Sequence, residues 1–396
     1  MSATPTYVTQ RLSSAASGEL ASLIIAAASA ALLLSLTTPL ISIILENQGA
    51  GADFIGISAA LPAVGGLVII PILPLLIRRL GPRALTVIAL TTAGFCVLIL
   101  EIVPSPTNAL VRVVLGAAVS TVLTATEVGL AELSRPGNRG RIMGIYSAFF
   151  CLAWAAGPSL IAFADGMAVV IAIGITACAL VSLSLGVSPF ASPAILPKVK
   201  GRLTLAVVLP LATIFVFAAI EMGLSGLLPI YAGSEGYSGA MVAWPAAVFF
   251  AGGVWSPIPI GMLSDKIGRQ KTLVGCLVLS TAGFFLWPHA AGTMVFLPLL
   301  LIQGGMVGAI YPLSLALLGD RVPRKDMPLA NSVFVGCYQL GAMVGPAAAG
   351  GSMSVAGNSG LPGSMIMWLT ILLIVVAMIS VAQRRSHDNS RVVHPS

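Results

Sequence analysis

Positive charge alternates along this chain in a way that only a membrane-spanning fold accommodates. Nineteen of the twenty Lys and Arg residues lie in short gaps between long apolar runs, and the alternate gaps contain none. Positive charge in short loops marks the cytoplasmic face of a membrane protein. The pattern therefore predicts an even number of membrane spans with both termini in the cytoplasm. The twentieth basic residue, Arg112, lies inside a predicted span.

The composition excludes other classes of protein. Hydrophobic residues make up 57% of the chain and charged residues 8%, and the mean hydropathy is +1.02. A soluble protein of this size could not cover its surface with so few charges. The net charge of +7 is dispersed over many gaps without a basic stripe, so no nucleic-acid partner is expected. The five cysteines lie in apolar runs without metal-ligand spacing, which predicts neither a disulfide nor a metal site.

Apolar runs of the length that a bilayer requires, about 20 residues each, divide the chain into twelve predicted spans. The fold class is thus an all-α integral membrane protein. We expect a cytoplasmic tail over 1–19, a six-helix half over 20–187, a cytoplasmic linker over 188–203, a second six-helix half over 204–382 and a tail over 383–396. The spans are placed at 20–45, 54–77, 84–103, 107–132, 142–163, 167–187, 204–231, 239–263, 272–288, 292–318, 328–351 and 362–382.

The two predicted halves repeat the same small and charged residues at a nearly constant offset. A constant offset over six spans indicates duplication, and parallel six-span repeats are a known transporter architecture. The halves are therefore expected to be pseudo-symmetric. Pairs offset by 187 or 188 residues are Gly65-Gly66 with Gly252-Gly253, Gly116 with Gly304, Glu132 with Asp320, and Gly157-Pro158 with Gly345-Pro346.

A loop motif at the predicted cytoplasmic face predicts a conformational lock. It reads Gly261-Met-Leu-Ser-Asp265-Lys266-Ile-Gly268-Arg269-Gln-Lys271. An Asp at a helix end can meet a helix N-terminus and a nearby Arg, which holds one conformation. This segment resembles the signature loop of the major facilitator superfamily. The equivalent loop of the first half has Pro74 and Arg78 in place of the Gly and the acid, so the lock is expected only in the second half.

Two further motifs resemble those of the same family. Arg112-Val-Val-Leu-Gly116 is similar to the Arg-x-x-Gln-Gly motif of proton-coupled members, with Leu115 in place of Gln. The fifth span approximates the antiporter motif with Gly144, Ala153 and Gly157-Pro158. The eleventh span repeats that spacing with Gly341 and Gly345-Pro346. Close helix packing alone would also explain these small residues.

Short segments also resemble the YcaD-like subgroup of this superfamily, namely Asn138–Arg141, Gly226–Tyr231, Pro259–Asp265 and Tyr311-Pro312. The resemblance to the superfamily covers nearly the whole chain. It implies the major facilitator fold and transport by alternating access. The subgroup does not imply a defined substrate.

Ionisable residues inside the predicted spans are the candidates for coupling. Glu127 and Glu221 are the acids that lie well inside spans, where a charge is costly and usually faces a cavity or a partner. Arg112, Glu127 and the small or polar residues between them occupy one face of the fourth span, an arc of about 120°. We hypothesise that Glu127 or Glu221 carries the proton, while Arg112 tunes that acid or contacts an anionic substrate.

Structural roles are the alternatives for the same residues. Arg112 could bond backbone carbonyls, Glu127 could join a network with Arg139 or Arg141, and Glu221 could bond a neighbouring helix. The candidates for lining a substrate cavity share a polar side chain at depth in a span, although such groups commonly join helices. They are Ser120, Thr124, Gln303, Tyr311, Tyr338 and Gln339.

The chain has no nucleotide-binding loop, zinc motif or nucleophile triad, and its gaps are too short for a soluble catalytic domain. The sequence therefore predicts a transporter of the inner (cytoplasmic) membrane, without enzymatic activity or cofactor. It would act as a proton-coupled antiporter for efflux of a small organic molecule. Alternatives are proton symport or facilitated uptake of a sugar or an organic anion, and a membrane sensor or scaffold without transport. The expected partners are the substrate, protons and the lipid bilayer, and the protein is expected to be a monomer.

Overall fold

The computed structural model describes residues 6–102, 105–133, 139–164, 167–185, 205–323 and 326–393, and these residues contain helices and no strand. The linker predicted over 188–203 lies outside the described residues. The helices are α1 (Thr6–Asn47), α2 (Ala52–Ile69), α3 (Leu73–Leu80), α4 (Pro82–Ile102), α5 (Ser105–Leu133), α6 (Arg139–Phe163), α7 (Ala168–Leu185), α8 (Val208–Ser234), α9 (Trp244–Trp255), α10 (Pro257–Ile267), α11 (Arg269–Ala290), α12 (Phe296–Gly308), α13 (Ile310–Arg321), α14 (Met327–Ala356) and α15 (Gly360–Val393), with 3-10 turns at Leu205–Val207, Gly239–Ala243 and Gly357–Ser359.

Most of the helices have the length and apolarity of membrane spans. Within the described residues, nine helical stretches qualify, or ten if α9 and α10, which meet at a 47° bend, form one span. One of the nine, Leu329–Val381, contains both α14 and α15. The apolar part of α7, Val169–Val181, is shorter than the others. The number of twelve spans, which the sequence indicates, therefore remains a prediction.

Three predicted spans, 54–77, 239–263 and 292–318, are each broken into two helices. A proline in a helix clashes with the carbonyl group four residues earlier. A helix ends close to that carbonyl in every case: α2 ends beside Ile70, four residues before Pro74, and α9 and α12 end at Trp255 and Gly308, four residues before Pro259 and Pro312. The short helices α3, α10 and α13 follow these breaks.

Both terminal helices extend into the predicted polar tails. Helix α1 begins at Thr6 rather than near residue 20, and α15 continues to Val393 rather than ending near residue 382. Hydropathy detects where a chain is apolar, whereas a helix ends only where the backbone is interrupted. Neither 6–19 nor 383–393 contains a proline, so nothing in their sequence forces the helix to stop.

We call α1–α7 the first helix set and α8–α15 the second helix set, and one close helix contact repeats in both. In the first set, α2 and α5 approach so closely that a Cβ at Gly65 or Gly116 would overlap the opposing backbone. In the second set, α9 and α12 meet through Gly252 and Gly304 in the same way. The glycine pairs that repeat in the sequence therefore occupy equivalent helix contacts.

The two sets touch mainly at one end of the bundle, which we call the closed end. Helix α2 packs on α14 and α8, with Gly56 against the backbone of Pro346 and Gly350. Helix α6 packs on α9, and the ring of Phe163 lies 4.7 Å from that of Trp244. At the opposite, open end, none of the described helices α3, α10 and α13 packs extensively on the other set. The two sets consequently diverge toward the open end.

Candidate functional site

Glu127 lies on α5, two turns before the open end of that helix. Its Oε1 accepts a hydrogen bond of 3.2 Å from the hydroxyl of Tyr146, a buried residue of α6. The Glu127 side chain itself is exposed to solvent. The contact belongs entirely to the first helix set, so one carboxylate is held by that set and presented to an accessible space.

Glu221 lies in the second set, on α8. Its Oε2 accepts a hydrogen bond of 2.7 Å from the hydroxyl of Tyr338 on α14. This bond to a neighbouring helix matches the structural alternative given for Glu221, and a charge-assisted bond of this length also orients the carboxylate. Both acids thus have the same kind of partner, a neutral tyrosine hydroxyl.

Tyr311, at the start of α13, connects the two acids. It lies close enough to Glu127, Glu221 and Cys151 to interact electrostatically with each. Tyr311 is 39% exposed although it has neighbours on three other helices, and this exposure indicates an accessible space between the helix sets. We call this space the central cavity, lined by Glu127, Tyr146, Glu221, Tyr311 and Tyr338.

Two buried aromatic rings pack beside Tyr311. Phe217 of α8 lies 5.7 Å from the Tyr311 ring and 6.4 Å from the Tyr338 ring. Phe334 of α14 lies 6.1 Å from Tyr311. The central cavity therefore combines carboxylates with aromatic surface.

Arg112 is remote from these acids. It lies on α5 about 22 Å from Glu127 along the helix axis. Its side chain is 2% exposed, and Nη1 donates a hydrogen bond of 2.9 Å to Ser58 Oγ on α2. The structure thus places Arg112 in the α2–α5 contact near the closed end and does not bring it to Glu127 or to the central cavity.

Ser120 and Gln339 bridge the two helix sets. Gln339 Nε2 on α14 donates a hydrogen bond of 2.9 Å to Ser120 Oγ on α5. Both side chains lie over Gly66 of α2, where a Cβ would overlap them. Thr124 is half-buried one turn further along α5. The Ser120–Gln339 bond thus marks the depth at which the closed end gives way to the cavity.

Gln303 is engaged elsewhere. It is buried in the second helix set, where its Oε1 accepts a hydrogen bond of 2.5 Å from Trp287 Nε1 and its Nε2 donates one of 3.1 Å to the Ser280 carbonyl. Its amide is used in joining α11 to α12. The structure does not bring it to the central cavity, so we assign it no part in substrate binding.

The loop motif supports an ion pair different from the expected one. Gly268 has φ +95° and separates α10 from α11. Arg269, at the first position of α11, forms an ion pair of 2.6 Å with Asp320 near the end of α13 and donates to the Ala316 carbonyl. Asp265 is exposed and has no ion pair within the described residues. The contact therefore fixes α13 to α11 inside one helix set.

The remaining members of the motif, Gly261 and Lys266, lie on α10, and Lys266 is exposed. Among the residues of the helix-packing motifs, Gly157 meets the backbone of α1, and Gly341 and Gly345 meet that of α8. A Cβ at Gly144 would meet no described atom within 4 Å. Pro158 and Pro346 lie inside unbroken helices.

The sequence analysis did not identify Tyr146 or Asp320 as functional. Tyr146 has a signal that could have revealed it, because it lies as far after the α5–α6 connection as Glu127 lies before it, and antiparallel neighbours then share one depth. Asp320 repeats Glu132 in the offset pattern. The side chains of Arg139 and Arg141, the alternative partners of Glu127, are outside the described part of the structure.

Comparisons with known proteins point to one family. The family model of the Major Facilitator Superfamily matches residues 23–243 and 210–395. The uncharacterized MFS-type transporter YfkF of Bacillus subtilis is 28% identical over 343 residues, covering 82% of this chain and 85% of YfkF. The uncharacterized MFS-type transporter YcaD of Escherichia fergusonii is 29% identical over 133 residues, which is 33% of this chain and 34% of YcaD.

Two solved structures share the fold. Both are of the nucleoside transporter NupG, which this chain matches over 92% of its length with a TM-score of 0.71 and 13% identity, covering 98% of that chain. A mutant form of the same transporter gives a TM-score of 0.74 at 11% identity, covering 92% of this chain and 99% of that one. At such low identity the similarity concerns the fold and not the substrate.

Proposed function

Because the chain belongs to the major facilitator superfamily of membrane transporters, we propose that it is a secondary active transporter that exports a small organic molecule in exchange for protons. Transport would proceed by alternating access. The observation that carries the proposal is the central cavity, where Glu127 of one helix set and Glu221 of the other lie around Tyr311. Each acid is held by a tyrosine of its own set.

The proposed architecture is twelve spans in two six-helix halves. Counting α14 and α15 separately, α9 with α10 as one span, and α7 as a short span raises the nine candidate stretches to twelve. The equivalent contacts of Gly65 with Gly116 and Gly252 with Gly304 support two related halves. Substrates of such duplicated transporters bind at the interface between the halves.

The carboxylates suit proton exchange because of their surroundings. Neither has an ion pair within the described residues, and each accepts a hydrogen bond from a tyrosine hydroxyl. A carboxylate without a cationic partner in a membrane protein is costly, so binding a proton relieves that cost. Release of the proton on one side and of the substrate on the other would couple the two movements.

Access would alternate by parting the closed end. Several of its contacts join small residues, such as Gly56 with Gly350 and Gly226 with Ala59. Such surfaces approach closely without interlocking large side chains, so they can separate as units. Closure of the open end would then bring α3, α10 and α13 toward the opposite half.

We propose the inner membrane as the location, with both termini cytoplasmic and the open end facing the cytoplasm. The described basic residues Arg78, Arg79, Arg83, Lys266 and Lys271 all lie at that end, in agreement with the positive-inside rule. In this orientation the present conformation would accept substrate from the cytoplasm. Export is further supported by the antiporter-like spacing of the fifth predicted span.

Uptake by proton symport or facilitation is the second candidate. Binding of an organic anion would place like charge beside Glu127 and Glu221, which disfavours it. A sugar requires many hydrogen-bond partners, whereas Ser120 and Gln339 already bond each other. Export of a substrate that is apolar or positively charged is therefore favoured.

Everted membrane vesicles test the proposal. Respiration acidifies the vesicle interior, and a panel of amphipathic drugs, sugars and organic acids is added to wild type, Glu127→Gln and Glu221→Gln. We expect at least one compound to dissipate the gradient in wild type and to fail in one or both variants. Glu46→Gln, which changes an acid at the end of α1 beside Gly233, is the matched control and should respond like wild type. No response to any compound from correctly inserted wild-type protein would contradict proton-coupled export.

A further inference from the structure

The central cavity has an unbalanced charge. Glu127 and Glu221 both face Tyr311, and within the described part of the chain no Lys, Arg or His forms an ion pair with either acid. The intramembrane cation Arg112 bonds Ser58 and is about 22 Å from Glu127 along α5. Tyrosine hydroxyls orient the carboxylates but do not neutralise them. Among the described side chains, the cavity is thus short of positive charge.

The aromatic rings beside the acids indicate which class of cation would bind. Tyr311 and Tyr338 have accessible ring surface, and Phe217 and Phe334 are buried beside them at ring distances of 5.7 to 6.4 Å. The faces of aromatic rings carry partial negative charge and attract cations, above all bulky ones that shed their water easily. A strongly hydrated inorganic ion would gain little from such rings. Acids and rings together suit an organic cation.

We propose that the central cavity binds a lipophilic, monovalent organic cation between Glu127 and Glu221, with its apolar substituents against the rings of Tyr311 and Tyr338. This substrate class rests on the proposed transport function and makes it specific. One cation neutralises one of the two carboxylates, and a proton neutralises the other. The site would hence accept one cation and one proton, or two protons, without a net buried charge.

This stoichiometry makes the cation and a proton competitors. The groups that face Glu127 are Tyr146 of α6 and Tyr311 of α13, and those that face Glu221 are Tyr338 of α14, Tyr311 and Cys151 of α6. Within the described residues all of these neighbours are tyrosines or a cysteine thiol. The ordinary pKa of each of these groups is higher than that of a carboxyl group. Any titration of binding near neutral pH thus belongs to the two acids. Raising the pH should strengthen cation binding, and cation binding should release a proton.

Binding to the purified full-length protein tests the inference with matched probes. Tetraphenylphosphonium is a lipophilic monovalent cation, tetraphenylborate is an anion of the same shape, and triphenylphosphine oxide is a neutral relative. We expect saturable binding of tetraphenylphosphonium that strengthens with rising pH, and no competition by the other two. At least one of Glu127→Gln and Glu221→Gln, namely the one that removes the carboxylate paired with the cation, should weaken this binding by roughly tenfold or more, and their combination should abolish it. Glu46→Gln should leave it unchanged.

Two results would overturn the inference. One is equal binding of the cation and its neutral relative, and the other is unchanged cation binding in both single variants. A thermal unfolding curve for each variant shows whether a loss of binding comes from a loss of folding. Wild-type gradient dissipation by a sugar or a neutral drug, without cation binding, would overturn the substrate class and leave proton-coupled export intact. Cation binding without gradient dissipation by any cation would retain the site and contradict the coupled transport.

Discussion

At the scale of single residues, proton coupling is proposed to depend on how Glu127 and Glu221 are held. The sequence predicted Glu127 and Glu221 as candidates because charge inside a span is costly. It named Tyr311 and Tyr338 as polar residues at depth but could not predict that they lie beside these acids, because those contacts join helices that are distant along the chain. Gln303 and Arg112 show the same limit, since a polar residue at depth can serve either a cavity or a helix contact. Only the packing of neighbouring residues shows which of these two roles a polar side chain has.

The Tyr338 hydroxyl should determine how readily Glu221 ionises. In Tyr338→Phe the anionic carboxylate loses a charge-assisted hydrogen bond, an interaction of roughly 1.5–3 kcal/mol. The ionised form is then less favoured, so transport steps that need it should shift to higher pH. The measurement is the pH profile of gradient dissipation in vesicles. Tyr231→Phe, which changes a buried ring packed on Trp287 and Phe296, is the control, and an unshifted profile in Tyr338→Phe would contradict the role of the hydroxyl.

At the scale of helices, prolines and glycines determine more than hydropathy does. Hydropathy located the long helices but missed the breaks beside Pro74, Pro259 and Pro312, because an apolar run gives no sign of a bend. The offset glycines were more informative. Their repetition predicted equivalent helix contacts, which the packing of α2 on α5 and of α9 on α12 contains.

A methyl group added at these glycine contacts should destabilise the protein. In Gly116→Ala a Cβ would overlap the Pro62 backbone, and in Gly304→Ala that of Phe249. Overpacking of this kind costs about 1–3 kcal/mol, so the thermal unfolding midpoint of the purified protein should fall in both variants. Gly174→Ala adds a methyl group where no described atom lies within 4 Å and should leave the midpoint unchanged. Equal midpoints in all three would refute the close contact.

The loop between α10 and α11 should act in transport rather than in stability. The Arg269–Asp320 pair is partly exposed, with side-chain exposures of 32% and 54%, and such pairs contribute about 0–1 kcal/mol. Asp320→Asn is thus expected to lower the unfolding midpoint slightly. Asp265→Asn should not lower it, yet it should slow transport, because this acid remains available to lock another conformation. Normal transport by Asp265→Asn at normal membrane expression would contradict the lock.

At the scale of the whole molecule, the structure has one closed and one open end. Sequence resemblance predicted the family, which the match to the superfamily confirms, but no sequence pattern states which conformation is occupied. That depends on the contacts between helix sets, such as Phe163 with Trp244 at the closed end. The alternation of charge predicts that the open end faces the cytoplasm.

Cys151 offers a test of this orientation, because it is half-buried and lies near both Tyr311 and Glu221. In a variant that keeps Cys151 and has Ser at the other four cysteine positions, a membrane-impermeant thiol reagent should label everted vesicles and spare right-side-out ones. Adding Cys151→Ser to this variant should abolish labelling. Preferential labelling of right-side-out vesicles would contradict the predicted orientation.

The central claim is that the acids of the central cavity couple protons to transport. Proteoliposomes test it most directly, since one preparation reports both substrate exchange without a gradient and accumulation driven by a pH gradient. For wild type the account predicts both activities. For Glu127→Gln or Glu221→Gln it predicts that at least one variant exchanges substrate but no longer responds to the gradient. A full response to the pH gradient in both variants would show that neither acid carries the proton.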